Sequence, residues 1–163
     1  MDEFDKKKME LLRPLMFEAG AALLDCQHME GGLALLLFHL ARIGTMGLKT
    51  EDTFRIMDNQ DKKTAGQLIH MLKKHVTVSA GIETALADGL DARNKIVHRV
   101  LGDNIEMFTK PDTRAQLTKR IRGLRRKVRA AIKSLDPFIV AFSAALDGVE
   151  QEKIEGEVKA LFS

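Results

Sequence analysis

The chain has 163 residues, 45% of them hydrophobic and 30% charged, with a formal net charge of +3. That length suits one domain with a real core, and a nearly balanced charge does not by itself imply a nucleic-acid partner. Cys26 is the only cysteine, which excludes an intramolecular disulfide and a zinc site built on clustered cysteines.

The opening "MDEFDKKKMELL" carries charge of both signs and no apolar signal core. The longest apolar run, "GGLALLLFHLA", is too short to cross a bilayer. A cytoplasmic protein with no membrane partner is expected. Only three prolines occur, at 14, 111 and 137, and no β-branched run alternates with polar residues. Helix formers dominate, so the fold class is all-α.

A short helix over residues 3–12 precedes one that begins at Pro14, a favoured first helical position, and runs to residue 43. Apolar residues surround that second helix, among them Phe17, Leu23, Leu24 and Leu37, which marks it as central and buried. Cys26 lies in this run and reads as a buried thiol. Gly31 and Gly32 offer the helix a bend or a close neighbour. A short helix follows over residues 51–58, then "NQDKK" as a loop, then a helix over 64–75. Ser79 fits an N-cap for a helix that runs to residue 101. "GDNIEMFTKPD" is a loop. A long helix starts at Pro111 and reaches residue 135, Pro137 kinks or restarts it, and it continues towards residue 149. The tail "EQEKIEGEVKALFS" is amphipathic, is interrupted by Gly156, and packs or frays. The whole reads as a single domain over residues 1–163, with its core at roughly 14–145 and a helical tail over 146–163. No internal repeat or low-complexity segment is present.

The stretch "GLDARNKIVHRVLGD" puts a permanent cation in an apolar stripe. At about 100° per residue, Ile82, Leu86, Val97 and Val100 fall within roughly 40° of Arg93. His98 lies about 140° round the helix, on the side of Asn94 and Asp91. Arg93 is read either as a snorkelling or salt-bridged side chain or as a functional one, and His98 as a partly exposed surface histidine or a functional one.

"RNKIVH", residues 93–98, resembles the R-x4-6-H signature of the HEPN superfamily, with its frequent polar second residue present as Asn94. The motif stands near the end of a helix in an all-α chain. A long helix carrying "CQHMEGGLALLLF" precedes it, similar to an E-x-x-L first core helix of that superfamily, and another long helix follows. The resemblance covers roughly residues 14–145. It implies an up-down bundle of about five helices, commonly dimeric, and metal-independent endoribonuclease activity of toxin, phage-defence or stress-response type. The Arg and His of two protomers would then meet in a composite site at a dimer cleft. One straight helix cannot converge Arg93 and His98 from one face, and a two-fold partner can supply the missing half.

The chemistry suits these residues. On what the resemblance implies, the RNA 2′-OH would serve as nucleophile, neutral His98 would take its proton, and Arg93 would hold the phosphorane oxygens with a planar fork. The products implied are a 2′,3′-cyclic phosphate and a 5′-hydroxyl. Asn94 orients the histidine or holds a phosphate oxygen, and Asp91 is a second orienting candidate. Glu30 is another anomaly, because Leu23, Cys26, Leu33 and Leu37 share its side of the helix and a carboxylate there needs a partner. A salt bridge to Arg93 satisfies it and presets the aim of the arginine.

Residues 119–133, "KRIRGLRRKVRAAIK", hold eight basic residues in fifteen and no acid. Leu117, Ile121, Leu124, Val128, Ile132 and Leu135 form one stripe, and every Lys or Arg lies off it. That face is either a solvated exterior or a phosphate-tracking surface. Lys95, Arg99, Lys119, Arg122 and Arg126 are the candidates for RNA-backbone contact. With no Trp or Tyr in the chain and no Phe in the run, readout of splayed bases is not supported. His28, His39, His70 and His75 show no metal spacing, and no phosphate loop or dinucleotide pattern occurs, so no metal and no cofactor are expected.

The expected partners are RNA, a second copy of the chain, and an acidic antitoxin or regulatory protein. In one group of HEPN toxins the motif extends to R-x4-H-x-Y and the tyrosine is modified; here that position is Val100 and the chain has no tyrosine. Two other functions remain open: a bundle that binds RNA or protein without cleaving, and a structural helical adaptor.

Overall fold

The computed structural model describes residues 3–45, 47–58, 60–61, 63–100 and 110–161. All regular structure among them is helical. The elements are α1 (Glu3–Arg42), α2 (Thr50–Met57), α3 (Ala65–His75), α4 (Ala80–Lys95) with a π-helical extension (Ile96–Val100), and α5 (Pro111–Leu161). The all-α class expected from the sequence is the one observed. The "GDNIEMFTKPD" loop lies outside the described residues up to position 109.

Local chemistry sets several boundaries. Thr64 Oγ1 accepts from the Gln67 N–H at 3.3 Å, while Gln67 Oε1 accepts from the Thr64 N–H at 2.8 Å. This reciprocal capping box starts α3. Ser79 caps α4 by accepting from the Ile82 N–H at 3.5 Å. After α1, Gly44 takes a φ of 90°, a left-handed conformation suited to a chain leaving a helix.

Two expected helix boundaries are absent. Pro14 lies inside a helix that starts before it, and Pro137 lies inside a helix that does not restart there. Each proline removes one backbone bond and disturbs its helix by about 3 kcal/mol. Buried residues along each helix offset this. Leu15, Ala19 and Ala22 are buried beyond Pro14, and Leu135 and Leu146 are buried on either side of Pro137. Helix continuity here comes from a buried face rather than from propensity.

The chain packs as two compact units. The first comprises Met1–Met29 and Ser79–Ile132; the second comprises Glu30–Val78 and Lys133–Ser163. Helices α1 and α5 each lend one part to either unit.

In the first unit α1 and α5 run parallel. Arg122 and Arg125 meet Glu18, and Arg125 and Arg129 meet Asp25, so the contacts advance together along both helices. Between them lie Leu15, Ala22, Met29, Leu117, Ile121 and Val128, all buried. Helix α4 joins this core at Gly89. A Cβ there would stand 2.5 Å from the Ala131 Cβ and 3.3 Å from the Met29 Sδ, so only glycine allows the approach. The direction of α4 follows from reach. From the Gly89 crossing, α4 and its extension travel roughly 16 Å to residue 100, and α5 extends back roughly 27 Å to residue 111. Were the two helices parallel, those ends would lie over 40 Å apart, more than eleven residues can span. The helices are therefore antiparallel.

In the second unit Leu33, Leu36, Leu37 and Leu40 of α1 are buried, as are Ile56 of α2, Leu68, Ile69 and Leu72 of α3, and Leu135 and Leu146 of α5. His39 is buried among them, and its Nε2 meets Ser143 Oγ at 3.2 Å. Burial pushes its pKa down, and the nearby Arg42 cation adds to that. Its Nδ1 is buried with no hydrogen-bond partner among the described residues.

Helix α1 is not buried all round, as its composition suggested. Phe17 is 68% exposed and Leu24 67% exposed, on the N-terminal part of the helix. Cys26 is buried as expected. Among the described residues, no helix is long and apolar enough to cross a membrane.

Candidate active site

The buried side of α4 is set by Leu86, Gly89 and Ala92, and it continues through Ile96 and Val100 of the π-helical extension. Arg93 stands at the edge of this stripe, half-buried, and Val97 is exposed. This corrects the expectation that Arg93 lies within the stripe beside Val97. The stripe is centred on the Ala92 side because Gly89, the residue that permits contact, lies on that side.

The larger correction concerns His98. The expected angle of about 140° from Arg93 assumes α-helical winding throughout. After Lys95 the backbone instead adopts a π-helix over Ile96–Val100. At the junction the Ile96 N–H is shared between the carbonyls of Ala92 and Arg93. A π-turn closes with i to i+5 bonds, so residues five apart stack as residues four apart do in an α-helix. Arg93 Nη1 consequently comes within 3.4 Å of His98 Nε2. The same Nη1 donates to Asn94 Oδ1 at 3.2 Å. Arg93, Asn94 and His98 therefore converge within one chain, and no partner helix is needed to bring the first to the last.

The roles follow from donor chemistry. A guanidinium only donates, so in a hydrogen bond between the two Nε2 of His98 is the acceptor. Both His98 and Asn94 are exposed, so the cluster opens to solvent.

The other candidates are placed as follows. Asp91 does not reach the cluster as an orienting group; it accepts from Lys95 Nζ at 2.6 Å, four residues on. Lys95 therefore pairs with Asp91, and Arg99 is exposed on the π segment. Glu30 is half-buried in α1 and belongs to the second unit.

The basic run of α5 divides. Arg122 Nη2 lies 2.7 Å from Glu18 Oε1, and its Nε donates to the same oxygen at 2.9 Å. Arg125 bridges Glu18 at 3.3 Å and Asp25 at 2.6 Å, and Arg129 reaches Asp25 at 3.3 Å. Glu18 is 7% exposed, and its hydrogen bonds from Arg122 hold its pKa below the usual carboxylate range. Three arginines of the run thus form a ladder that clamps α5 to α1. Lys119 and Arg126 are exposed and stand outside that ladder.

Sequence reasoning singled out Glu30 and missed Glu18 and Asp25. A signal existed: the two acids are seven residues apart, on one edge of the stripe marked by Leu15, Ala22 and Met29. Arginines at 122, 125 and 129 repeat at the matching helical spacing. Among the described residues, no group of three or more His, Cys, Asp and Glu side chains could hold a metal ion. The chain matches no protein-family model, no curated protein and no solved structure.

Proposed function

We propose that this protein is a metal-independent endoribonuclease of HEPN type, with Arg93 and His98 as catalytic residues and Asn94 as their polar neighbour. The observation that carries the proposal is the convergence of Arg93, Asn94 and His98 on one solvent-facing turn. A π-turn supports it further, since such turns occur often at functional sites.

In the proposed reaction a substrate phosphate draws the Arg93 guanidinium away from His98 and frees the Nε2 lone pair. That lone pair takes the proton from the RNA 2′-OH. The oxygen O2′ forms a bond to phosphorus, the bond from phosphorus to O5′ breaks, and O5′ takes a proton from solvent. The products are a 2′,3′-cyclic phosphate and a 5′-hydroxyl. Arg93 meets the charge that builds on the non-bridging oxygens, and Asn94 holds the arginine in place. A dimer that sets two such clusters on one cleft completes the proposal, together with a toxin or defence role in the cytoplasm.

Incubating the purified protein with end-labelled single-stranded RNA in EDTA tests this reading. Cleavage leaving a cyclic phosphate supports it. Retardation without cleavage makes the protein a binding module, and neither outcome leaves a helical adaptor.

A further inference from the structure

Within the first unit, the N-terminal part of α1 and the start of α5 enclose an open groove of about 640 Å³. Pro14 and Leu15 of α1 and Ala115 of α5 give it an apolar floor, and Arg114, Lys119, Arg122 and Arg126 of α5 line it with positive charge. None of its described lining residues is acidic. Arg122 turns one edge to Glu18 while 61% of its side chain remains exposed. The ion ladder therefore fixes the base of this cation without hiding it.

We propose that this groove is a second contact for single-stranded RNA, separate from the Arg93–His98 cluster, in which the phosphate backbone tracks along α5. The proposal rests on the endoribonuclease reading for its ligand and adds a site and a residue, Arg114, to it. The spacing of the cations favours a strand over a compact anion. From residue 114 to residue 126 the helix rises roughly 18 Å, so a single phosphate group reaches at most two of the four. A flexible polyanion reaches all of them, and each contact releases condensed counterions. The apolar floor accepts a ribose or base face without demanding a particular base, which suits a groove that holds RNA without reading it.

The test is fluorescence anisotropy with a labelled twelve-nucleotide RNA, comparing full-length His98→Ala protein with the same chain also carrying Arg114→Glu and Arg126→Glu. Affinity should fall at least tenfold, and the slope of log affinity against log salt should shrink by about two. Lys49→Glu with Lys74→Glu, exposed changes in the second unit, should alter neither quantity. In chains that retain His98, the groove changes should raise KM for cleavage of the twelve-nucleotide RNA. Equal RNA affinity with and without the groove changes overturns the proposal. So does a groove variant that keeps RNA affinity but loses binding to poly-glutamate, which would make the groove a protein-docking surface. Failure of the catalytic reading shows separately, as full cleavage by His98→Ala alone.

Discussion

Arg93 Nη1 and His98 Nε2 lie 3.4 Å apart on a single turn, although an α-helix would point these two residues towards nearly opposite sides. The π-helical extension at Ile96–Val100 makes the difference. It keeps Ile96 and Val100 in the core while it swings His98 back over Arg93.

His98→Ala should abolish RNA cleavage and leave the fold intact. The side chain is exposed and contributes little packing, so the melting temperature should move by no more than about 2 °C. Cleavage assays beside thermal melts check both halves. Cleavage equal to the parent's would remove His98 from the mechanism, and a mutant that unfolds would make it a structural histidine.

Arg93→Lys keeps the charge but loses the planar fork that holds His98 and Asn94 together. Activity should fall roughly 100-fold or more with KM changed much less. Arg93→Leu should be inactive yet folded, because the residue stands at the edge of the buried stripe. Full activity of the lysine variant together with collapse of the leucine variant would assign Arg93 to structure alone.

Gly89→Ala should destabilise the protein by about 1–3 kcal/mol, since its Cβ would fall 2.5 Å from the Ala131 Cβ. A melting temperature lower by roughly 3–9 °C is expected. Ala131→Gly in the same chain should recover part of that loss. An unchanged melt would mean that α4 and α5 do not approach as closely as described.

Acid should weaken the protein in two stages. His39 has a lowered pKa, so below about 6.5 the unfolded chain takes up a proton that the native chain refuses. Stability is therefore full above that pH and declines as pH falls towards the depressed native value. His39→Asn should flatten this first stage in melts recorded across pH. The Arg122 guanidinium holds the Glu18 pKa below the ordinary carboxylate value of 4.5, so its contribution is present above that pH and is lost as pH falls through its native value. Glu18→Gln should remove the second stage and cost about 2–3 kcal/mol at neutral pH. That is less than for most buried pairs, because Arg125 keeps Asp25 and Arg122 reaches water.

Control by attachment of a nucleotide to a tyrosine is not expected. The chain has no tyrosine, and Val100, two residues after His98, is 2% exposed. Intact-mass spectrometry of protein co-expressed with its genomic neighbours should show the unmodified mass. A nucleotide-sized increase that silences the protein would contradict this.

The sequence by itself determined the elements whose signals are local. The Thr64 capping box, the Ser79 cap and the helical class follow from bonds made within four residues. The residues Arg93, Asn94 and His98 were legible for a similar reason, as a short motif at a helix end. The tertiary structure decided what depends on partners distant in sequence. Helix continues through Pro14 and Pro137, because buried leucines and alanines along each helix hold the helical path. The basic run is partly a clamp, because Glu18 and Asp25 stand about a hundred residues away and only folding brings them to α5. The Arg93–His98 contact is local, five residues apart, yet it too was not legible. One extra residue in a turn changes the winding by most of a right angle, and periodicity read at a fixed angle per residue does not register where that residue falls.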